Sequence, residues 1–563
     1  MNNICISIGM HDSSVTIIKD RKVVAHIIEE RHSRHKHDCP PCLSLTKIKD
    51  YIDKVDRISF ADLFPDYTDF TPYIKILEHF SGLCFPNTQY NKLDNVALHN
   101  LIETPIHTDH HDLHAICGFA HSGFDQSLVV VMDGAGSTYS FGKENQTIYE
   151  ISKDYIHVLE KNIVGDGSPV VDYSTPERDI PEYVNPETNI GAGYAYSAVS
   201  ESCGFGSLEC GKVMGLSAYG QPDDRLPTLL SIDSGGNYTF TLQRDQRWPW
   251  MGPVDCYLND RYRMVEAENI AYRIQKDYEK YLIYTCKKAL SISKSRTKNL
   301  ILTGGCALNC VANYKLLKEL PDDVNLYVEP VSDDSGVSIG GAIKLDKESY
   351  GFFGNNLKLD NLYLGGQLEY DYQLMGNNEI EYDAEPENVA EIISLGNIVA
   401  IAQGRSEIGP RALGNRSILF DPRNPKGQEI VNQVKKREYF RPFAGTVLKE
   451  YAKDWFDMDR LDESPFMMYA IDVLPEKKDQ IPSIIHVDGT CRIQTVTSEQ
   501  NKNYYDLISE FYKLTGVPIL FNTSFNLAGD TMVETIDDAF YTLRNSQINY
   551  LYLPEIGKLI QIN

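Results

Sequence analysis

The chain has 563 residues, too many for one hydrophobic core, and its length predicts two to four domains. Hydrophobic residues at 42%, aromatic residues at 10% and charged residues at 24% are those of an ordinary globular enzyme and exclude a fibrous or largely disordered chain. A net charge of -25 with a pI near 5.0 argues against broad binding to nucleic acid or anionic membranes, so an anionic ligand needs a basic site of its own.

The opening MNNICISIGMHDSS has no basic segment followed by an apolar run, and no stretch approaches the ~18 apolar residues of a membrane span, so a cytoplasmic protein without membrane contact is expected. The twelve cysteines are scattered and read as small buried hydrophobes, without structural disulfides. ICISIGMHDSSVTIIKDRKVVAHIIEE is two β-branched runs joined by a polar turn, a hairpin that presents His11, Asp12 and Ser13. HKHDCPPC sets Cys39 and Cys42 beside His35 and His37. A zinc site needs a second ligand pair at set spacing, none follows nearby, and a loop with two incidental thiols is the simpler reading.

In DHHDLHA, a helix would put His110 and His114 on one face, at i and i+4, with His111 pointing elsewhere. SLVVVMDGAGSTYSFG repeats the N-terminal strand-and-turn pattern about 120 residues later and ends its buried strand on Asp133. AENIAYRIQKDYEKYLIYTCKKALSI has the helical period, and KNLILTGGCALNCVANYKLLKEL is a buried strand, a Gly304-Gly305 turn and a helix. Cys306 and Cys310 would be i and i+4 on that helix, packed in the core. Strands ending in small-residue turns and separated by helices indicate an α/β domain. The stretch from Glu348 to Tyr372 is rich in Gly, Asn and Tyr, lacks helical period, and is the best boundary candidate. Beyond it PENVAEIISLGNIVAIAQG is helix, Gly turn and strand, and strands and helices alternate to the last residue.

Asp334, in EPVSDDSGVSIGGA, completes with His110, His114 and Asp133 a donor set suited to iron, manganese or zinc at an open site. Two solvated helix histidines beside an ordinary strand-end Asp fit the spacing as well. Further on, GRSEIGPRALGNRSILFDPRNPKGQEIVNQVKKREYFR carries nine basic residues (Arg405, Arg411, Arg416, Arg423, Lys426, Lys435, Lys436, Arg437, Arg441) against four acidic ones. A charged helix face accounts for Lys435 to Glu438 but not for GPRALGNRS, where Gly and Pro break the helix. A site for phosphate or carboxylate oxygens is favoured. VPILFNTSFNLAGD runs a strand into Asn522, Thr523, Ser524 and Asn526, a turn that either positions a phosphate or carbonyl or is a plain Asn/Ser turn, and HVDGTCRIQTV adds Arg492.

Taken in order, GMHDSS, EERHSRHKHD, DHHDLHA, MDGAGS, GKVMGLSAYG, TGGCALN, SDDSGVSIGGA, GRSEIGPRALGNRSI, VKKREYFRPFAG, CRIQTV and FNTSFN resemble the O-carbamoyltransferases that act on nodulation factors, cephamycins and tobramycin. The resemblance spans nearly the whole chain. It implies an α/β protein of two domains, residues 1–355 with the sugar-kinase/actin-type superfold and residues 356–563 with a YrdC-like twisted sheet. In such enzymes the second domain turns carbamoyl phosphate and ATP, the latter with Mg, into carbamoyl adenylate. The first, holding divalent iron, passes the carbamoyl group to an alcohol.

Carried over by position, the resemblance makes His110, His114, Asp133 and Asp334 the metal ligands, with His111 structural. It places His11 and Lys36 at the transfer site, with His11 as base for the acceptor hydroxyl, and Gly304, Gly305 and Asn309 at a nucleotide turn. Arg411, Lys435, Arg441, Arg492, Ser524 and Asn526 fall at the adenylate-forming site, with Arg411, Lys435 and Arg441 acting in the chemistry. CPPC stands where relatives have an aromatic-Pro pair, which leaves the shape of that loop open. The acceptor is a sugar or antibiotic-like small molecule, or a hydroxymethyl pyrimidine, free or flipped out of DNA, and the protein is expected as a monomer or homodimer. Threonylcarbamoyl transfer to tRNA would need a basic face beyond the adenylate cluster, and a non-catalytic ATP-binding regulator would need neither the C-terminal half nor the His-His-Asp-Asp set.

Overall fold

The computed structural model describes residues 2–9, 11–62, 106–107, 109–139, 142–164, 184–188, 191–232, 238–240, 265–350, 358–375 and 378–562. The chain forms two compact units, Met1–Glu29 with Cys39–Leu359 and Glu30–Asp38 with Asp360–Asn563. Of the proposed boundary stretch, residues 351–357 lie outside the described residues.

The first unit repeats one sheet plan. β1 (Asn2–Ile8), β2 (Ser14–Lys19), β3 (Lys22–Ile28), β4 (Arg57–Asp62) and β5 (Ile106–His107) lie in the order β3-β2-β1-β4-β5. β1 and β2 form the expected hairpin, with Ser7 opposite Ser14 across the turn that carries His11, and β1 runs parallel to β4. Ile4, Ile6, Val15, Ile17 and Phe60 fill the core of this sheet, which is why its strands read as continuous β-branched runs.

The second sheet takes β6 (Gln126–Met132), β8 (Gly142–Ser152), β9 (Ile156–Val164), β13 (Asn299–Thr303) and β14 (Asn325–Val328) in the order β9-β8-β6-β13-β14. β7 (Thr138–Tyr139) pairs with β8 and β10 (Val184–Thr188) with β9, while β11 (Leu230–Ile232) and β12 (Tyr238–Phe240) form a separate hairpin. β6 and β8 are antiparallel and β6 and β13 parallel, so the strand order and directions of the first sheet recur. A mixed α/β fold with this duplication is what the sugar-kinase/actin expectation requires.

Helices α1 (His110–Ser122), α2 (Ala192–Ser202), α3 (Ala267–Ile292), α4 (Cys310–Glu319) and α5 (Gly336–Tyr350) belong to this unit. α1 ends on Gly123 in the left-handed conformation, φ 73°. α1 and α5 approach so closely that a Cβ on Gly340 would lie 2.0 Å from the Leu113 carbonyl oxygen.

The second unit is one mixed sheet of nine strands. β15 (Glu379–Asp383), β16 (Val399–Ala402), β17 (Arg416–Phe420), β18 (Ala444–Leu448), β19 (Ala470–Asp472), β20 (Thr490–Val496), β21 (Ile519–Ser524), β22 (Tyr550–Leu553) and β23 (Lys558–Ile562) lie in the order β15-β23-β22-β16-β17-β21-β18-β20-β19. Helices α6 (Pro386–Ser394), α7 (Gly427–Lys435), α8 (Lys502–Thr515) and α9 (Ile536–Arg544) accompany it. The segment Glu30–Asp38 joins this unit through its arginines. Arg31 donates to the Gly409 carbonyl at 3.0 Å, and Arg34 donates to the carbonyls of Met532 at 2.6 Å and Thr531 at 3.0 Å.

Candidate functional site

The site in the first unit is built by α1 and by the turns that follow β6 and β14. At the start of α1 the backbone N–H of His110 donates to Ser137 Oγ at 2.8 Å and that of His111 to Glu144 Oε1 at 3.1 Å. Two donors that a helix end leaves without partners are satisfied in this way. Glu144 also accepts from the Ser137 N–H at 3.0 Å and pairs with Lys161 at 2.8 Å. Burial alone would raise its carboxyl, but His111 and Lys161 hold it down to about 2.

On this base four donor atoms converge. His110 Nε2 lies 3.1 Å from Asp133 Oδ2, 3.1 Å from His114 Nε2 and 3.5 Å from Asp334 Oδ1, and His114 Nε2 lies 3.5 and 3.7 Å from the same two carboxylate oxygens. All four residues are buried. Burial pulls the imidazoles toward the neutral form, but Asp334 and Asp133 override it and hold His110 up to about 10 and His114 above its ordinary value. The two histidines in turn hold both acids low against the opposite pull of burial. Two imidazole nitrogens 3.1 Å apart cannot both aim a proton at one point, whereas both can offer lone pairs to a cation there. Two neutral rings and two carboxylates would balance a divalent charge, and this N/O set fits iron, manganese or zinc.

His111 is no ligand. Its Nδ1 faces Thr147 Oγ1 at 2.8 Å, and burial pushes the ring down to about 4. His11 does reach the group, its Nε2 3.6 Å from Asp334 Oδ2 and its Nδ1 2.8 Å from Asp12 Oδ2. Burial opposes protonation of His11, but the Asp12 hydrogen bond and the charges of Asp334, Asp12 and Asp133 raise it to about 9. Gly304 and Gly305 form the turn after β13. Gly304 has φ 83°, and a Cβ there would meet the Met132 carbonyl oxygen at 2.5 Å, while a Cβ on Gly305 would meet Asp133 Oδ1 at 3.0 Å. This turn therefore lies against the end of β6 that leads into Asp133. Asn309 caps α4, its Oδ1 accepting from the Ala312 N–H at 3.0 Å. Cys306 sits in the 3-10 turn Gly305–Leu308 and Cys310 opens α4, so the two do not share one helix as expected.

The second unit gathers a different group. Lys435 is buried at the end of α7; its ammonium donates to the Ser524 carbonyl, to Ser524 Oγ at 3.4 Å, to the Asn526 carbonyl at 2.8 Å and to Asn526 Oδ1 at 3.0 Å. Burial lowers its pKa well below the ordinary lysine value, and the charges of Arg437, Arg441 and Lys36 lower it further. Arg437 is likewise held low by burial and by Arg441 and Arg492. The Nε atoms of Arg437 and Arg492 are buried without a hydrogen-bond partner among the described residues. Cations held together with buried, unused donors are what an anion site requires.

The basic run as a whole is not one site. Arg405 donates to the carbonyls of Gly365 and Leu364, Arg416 is fully buried among the carbonyls of Gln403, Gly404, Asn415 and Glu534, and Arg423 pairs with Asp421 at 2.6 Å. Arg411 lies half-buried in the GPRALGNR loop, which Glu407 organises by accepting from the N–H groups of Leu413 at 2.7 Å, Asn415 at 2.9 Å and Arg416 at 3.3 Å. Lys36, expected at the transfer site, groups with the second unit, where Arg31 and Arg34 tie its segment and its charge acts on Lys435. Arg437 was not singled out by the sequence, since nothing ranks one cation above its neighbours in KKREYFR.

A family model described as Carbamoyltransferase N-terminus matches residues 3–343, and one described as Carbamoyltransferase C-terminus matches residues 390–558. The nodulation protein NolNO of Sinorhizobium fredii is 31% identical over 96% of this chain and 78% of its own length. Nodulation protein NolO of Bradyrhizobium diazoefficiens is 33% identical over 79% of this chain and 77% of its own. Among solved structures, full-length HypF in a phosphate- and nucleotide-bound form overlaps with a TM-score of 0.37 at 12% identity, over 63% of this chain and 56% of that one.

Proposed function

The chain belongs to the carbamoyltransferase family, and from that premise we propose that it makes carbamoyl adenylate in its second unit and transfers the carbamoyl group to an alcohol in its first. The reading rests above all on the group Lys36, Lys435, Arg437, Arg441 and Arg492, where like charges depress one another around buried donors. An ATP triphosphate and a carbamate derived from carbamoyl phosphate repel each other, and such a group offsets that repulsion. Water cleaves carbamoyl phosphate to carbamate and inorganic phosphate, a carbamate oxygen attacks the α-phosphorus of Mg-bound ATP, the α–β phosphoanhydride bond breaks, and pyrophosphate leaves. Ser524 and Asn526 hold the Lys435 ammonium in place. We read this unit as the YrdC-like domain, with Arg411 presented by the Glu407-held loop.

For the second step, a divalent cation such as iron held by His110, His114, Asp133 and Asp334 would supply Lewis acidity toward the phosphate of the leaving AMP. The Gly304-Gly305 turn and the N-terminus of α4 face that phosphate with backbone N–H groups, Asn309 fixing the helix start. The acceptor oxygen attacks the carbamoyl carbon as the bond to AMP breaks. Its proton goes to Nε2 of His11, whose other nitrogen donates to Asp12 and whose neutral form becomes available once a dication offsets the Asp334 and Asp133 charges that otherwise raise the ring. The acceptor is a polyol or antibiotic-like alcohol; a surface of net charge -25 favours such a ligand over DNA.

Pyrophosphate release that depends on carbamoyl phosphate, together with mass spectrometry of a panel of alcohols, tests both steps. Arg441→Ala should abolish pyrophosphate release. His110→Ala should retain it and lose transfer. Equal loss of pyrophosphate release in the two folded variants would refute the division of labour.

A further inference from the structure

The same helix that carries His110 and His114 carries a second pair at the same spacing, Cys117 and His121, and neither takes part in the proposed reaction. His121 Nδ1 lies 3.0 and 3.1 Å from the two carboxylate oxygens of Glu329 and 3.6 Å from Cys117 Sγ, and all three residues are buried. We propose that Cys117, His121 and Glu329 bind a second dication of zinc type, independent of the His-His-Asp-Asp site.

Zinc–ligand lengths of about 2.0–2.3 Å set donor atoms about 3.3–3.6 Å apart around a tetrahedral ion. Two of the three edges, Nδ1 to Sγ at 3.6 Å and Nδ1 to Oε1 at 3.0 Å, are close to those lengths, and one donor atom from each residue lies within 4.8 Å of the others. Thiolate, carboxylate and neutral imidazole together balance a dication, so the occupied cluster is neutral in the core. The thiol proton is released on binding.

A nucleophilic relay does not fit. In a Cys-His-acid relay the thiol and the acid address opposite nitrogens of the ring, whereas here both face Nδ1. Nε2 is buried with no hydrogen-bond partner among the described residues. Glu329 is aimed from its own side by the N–H of Val331 at 3.0 Å and the hydroxyl of Tyr327 at 3.4 Å.

The position gives the ion a purpose. Glu329 follows β14 in the connection that continues to Asp334, so helix and connection each contribute ligands to both clusters. Midpoints seven residues apart along α1 lie about 10 Å apart at a rise of 1.5 Å per residue. That is too far for a bridged pair. The second ion would instead pin α1 to the connection and so fix the register in which His110 and His114 meet Asp334.

Because the cluster is closed to solvent, the full-length protein is produced in cobalt-supplemented medium, so that metal enters during folding. Wild-type protein should then carry about two cobalt ions per chain and show thiolate-to-cobalt charge-transfer absorption in the near ultraviolet. Cys117→Ser should lose the absorption and about half the cobalt, whereas His114→Ala should keep the absorption while losing its own ion. Folded wild-type protein without the absorption, or Cys117→Ser with unchanged cobalt, overturns the second site. His114→Ala with unchanged cobalt overturns only the first.

Discussion

Replacing Gly340 by Ala tests whether the transfer site depends on packing rather than on its ligands alone. Gly340 touches no ligand. A Cβ at that position would lie 2.0 Å from the Leu113 carbonyl oxygen and 2.9 Å from its Cα, and both neighbours are helix backbone that no side-chain rotation can clear. α5 must withdraw from α1 by at least about 1 Å to restore a tolerable contact, and overpacking of this kind costs about 1–3 kcal/mol. The same displacement separates Asp334, two residues before α5, from His110 and His114, and misplacement by about 1 Å costs about 100-fold in a positioned reaction. Single-turnover transfer from preformed carbamoyl adenylate should therefore fall about 100-fold, with a lower melting temperature and with carbamoyl-phosphate-dependent pyrophosphate release unchanged. Wild-type transfer in a Gly340→Ala protein of unchanged stability would show that the helix pair does not set the ligand geometry.

Three further outcomes are expected. His11→Asn should lower single-turnover transfer by about 10²–10⁴-fold while leaving pyrophosphate release at the wild-type rate, and an unchanged transfer rate assigns the proton to another acceptor. Glu407→Ala strips a partner from three buried N–H groups and should destabilise the protein by about 1–3 kcal/mol or more while raising KM for ATP; melting curves and adenylation kinetics check both effects. Glu144, held down to about 2 when folded against 4.5 for the free group, contributes stability that is complete above about pH 4.5 and is lost as pH falls toward 2. The stability gap between wild type and Glu144→Gln should shrink by about 3 kcal/mol across that range, and a gap that stays constant with pH removes Glu144 from the electrostatic account.

Periodicity and turn chemistry made much of the first unit legible. The hairpin that bears His11, the strand ending at Asp133 and the strand, Gly-Gly turn and helix of residues 299–319 all stand where the pattern predicts. Each is a local decision between a period of two and one of 3.6, punctuated by Gly. His110 and His114 were readable for the same reason, since i and i+4 share a helix face. The division of the basic run was not readable. Arg416 is fully buried and Arg437 partly so, yet one is surrounded by backbone carbonyls and the other lies beside the cations Arg441 and Arg492. That difference is made by β-strand register and by chain segments more than a hundred residues away. That the segment of Lys36 groups with the second unit was not readable either, because the carbonyls that anchor it, at 409, 531 and 532, leave no mark on the sequence around it. Cys117 and His121 passed unnoticed for a related reason. Their acid partner is Glu329, 208 residues from His121.

The two candidate sites differ in how their charges are satisfied, and the difference matches the tasks assigned to them. In the first unit two carboxylates and two imidazoles sum to the opposite of one dication, so a resident ion leaves the buried cluster neutral. In the second, Lys36, Lys435, Arg437, Arg441 and Arg492 act on one another as like charges; Glu438 reaches Arg441 at 3.7 Å, but Lys435 and Arg437 remain depressed. Cations that depress one another are relieved when an anion binds among them, which suits a substrate that arrives and departs rather than a resident cofactor. The acidic surface does not prevent this. At physiological salt a distant charge is screened beyond about 8 Å, whereas the donors of the cluster act at hydrogen-bond range. Bulk charge therefore governs which large partners approach the protein, and the local imbalance governs which small anion stays.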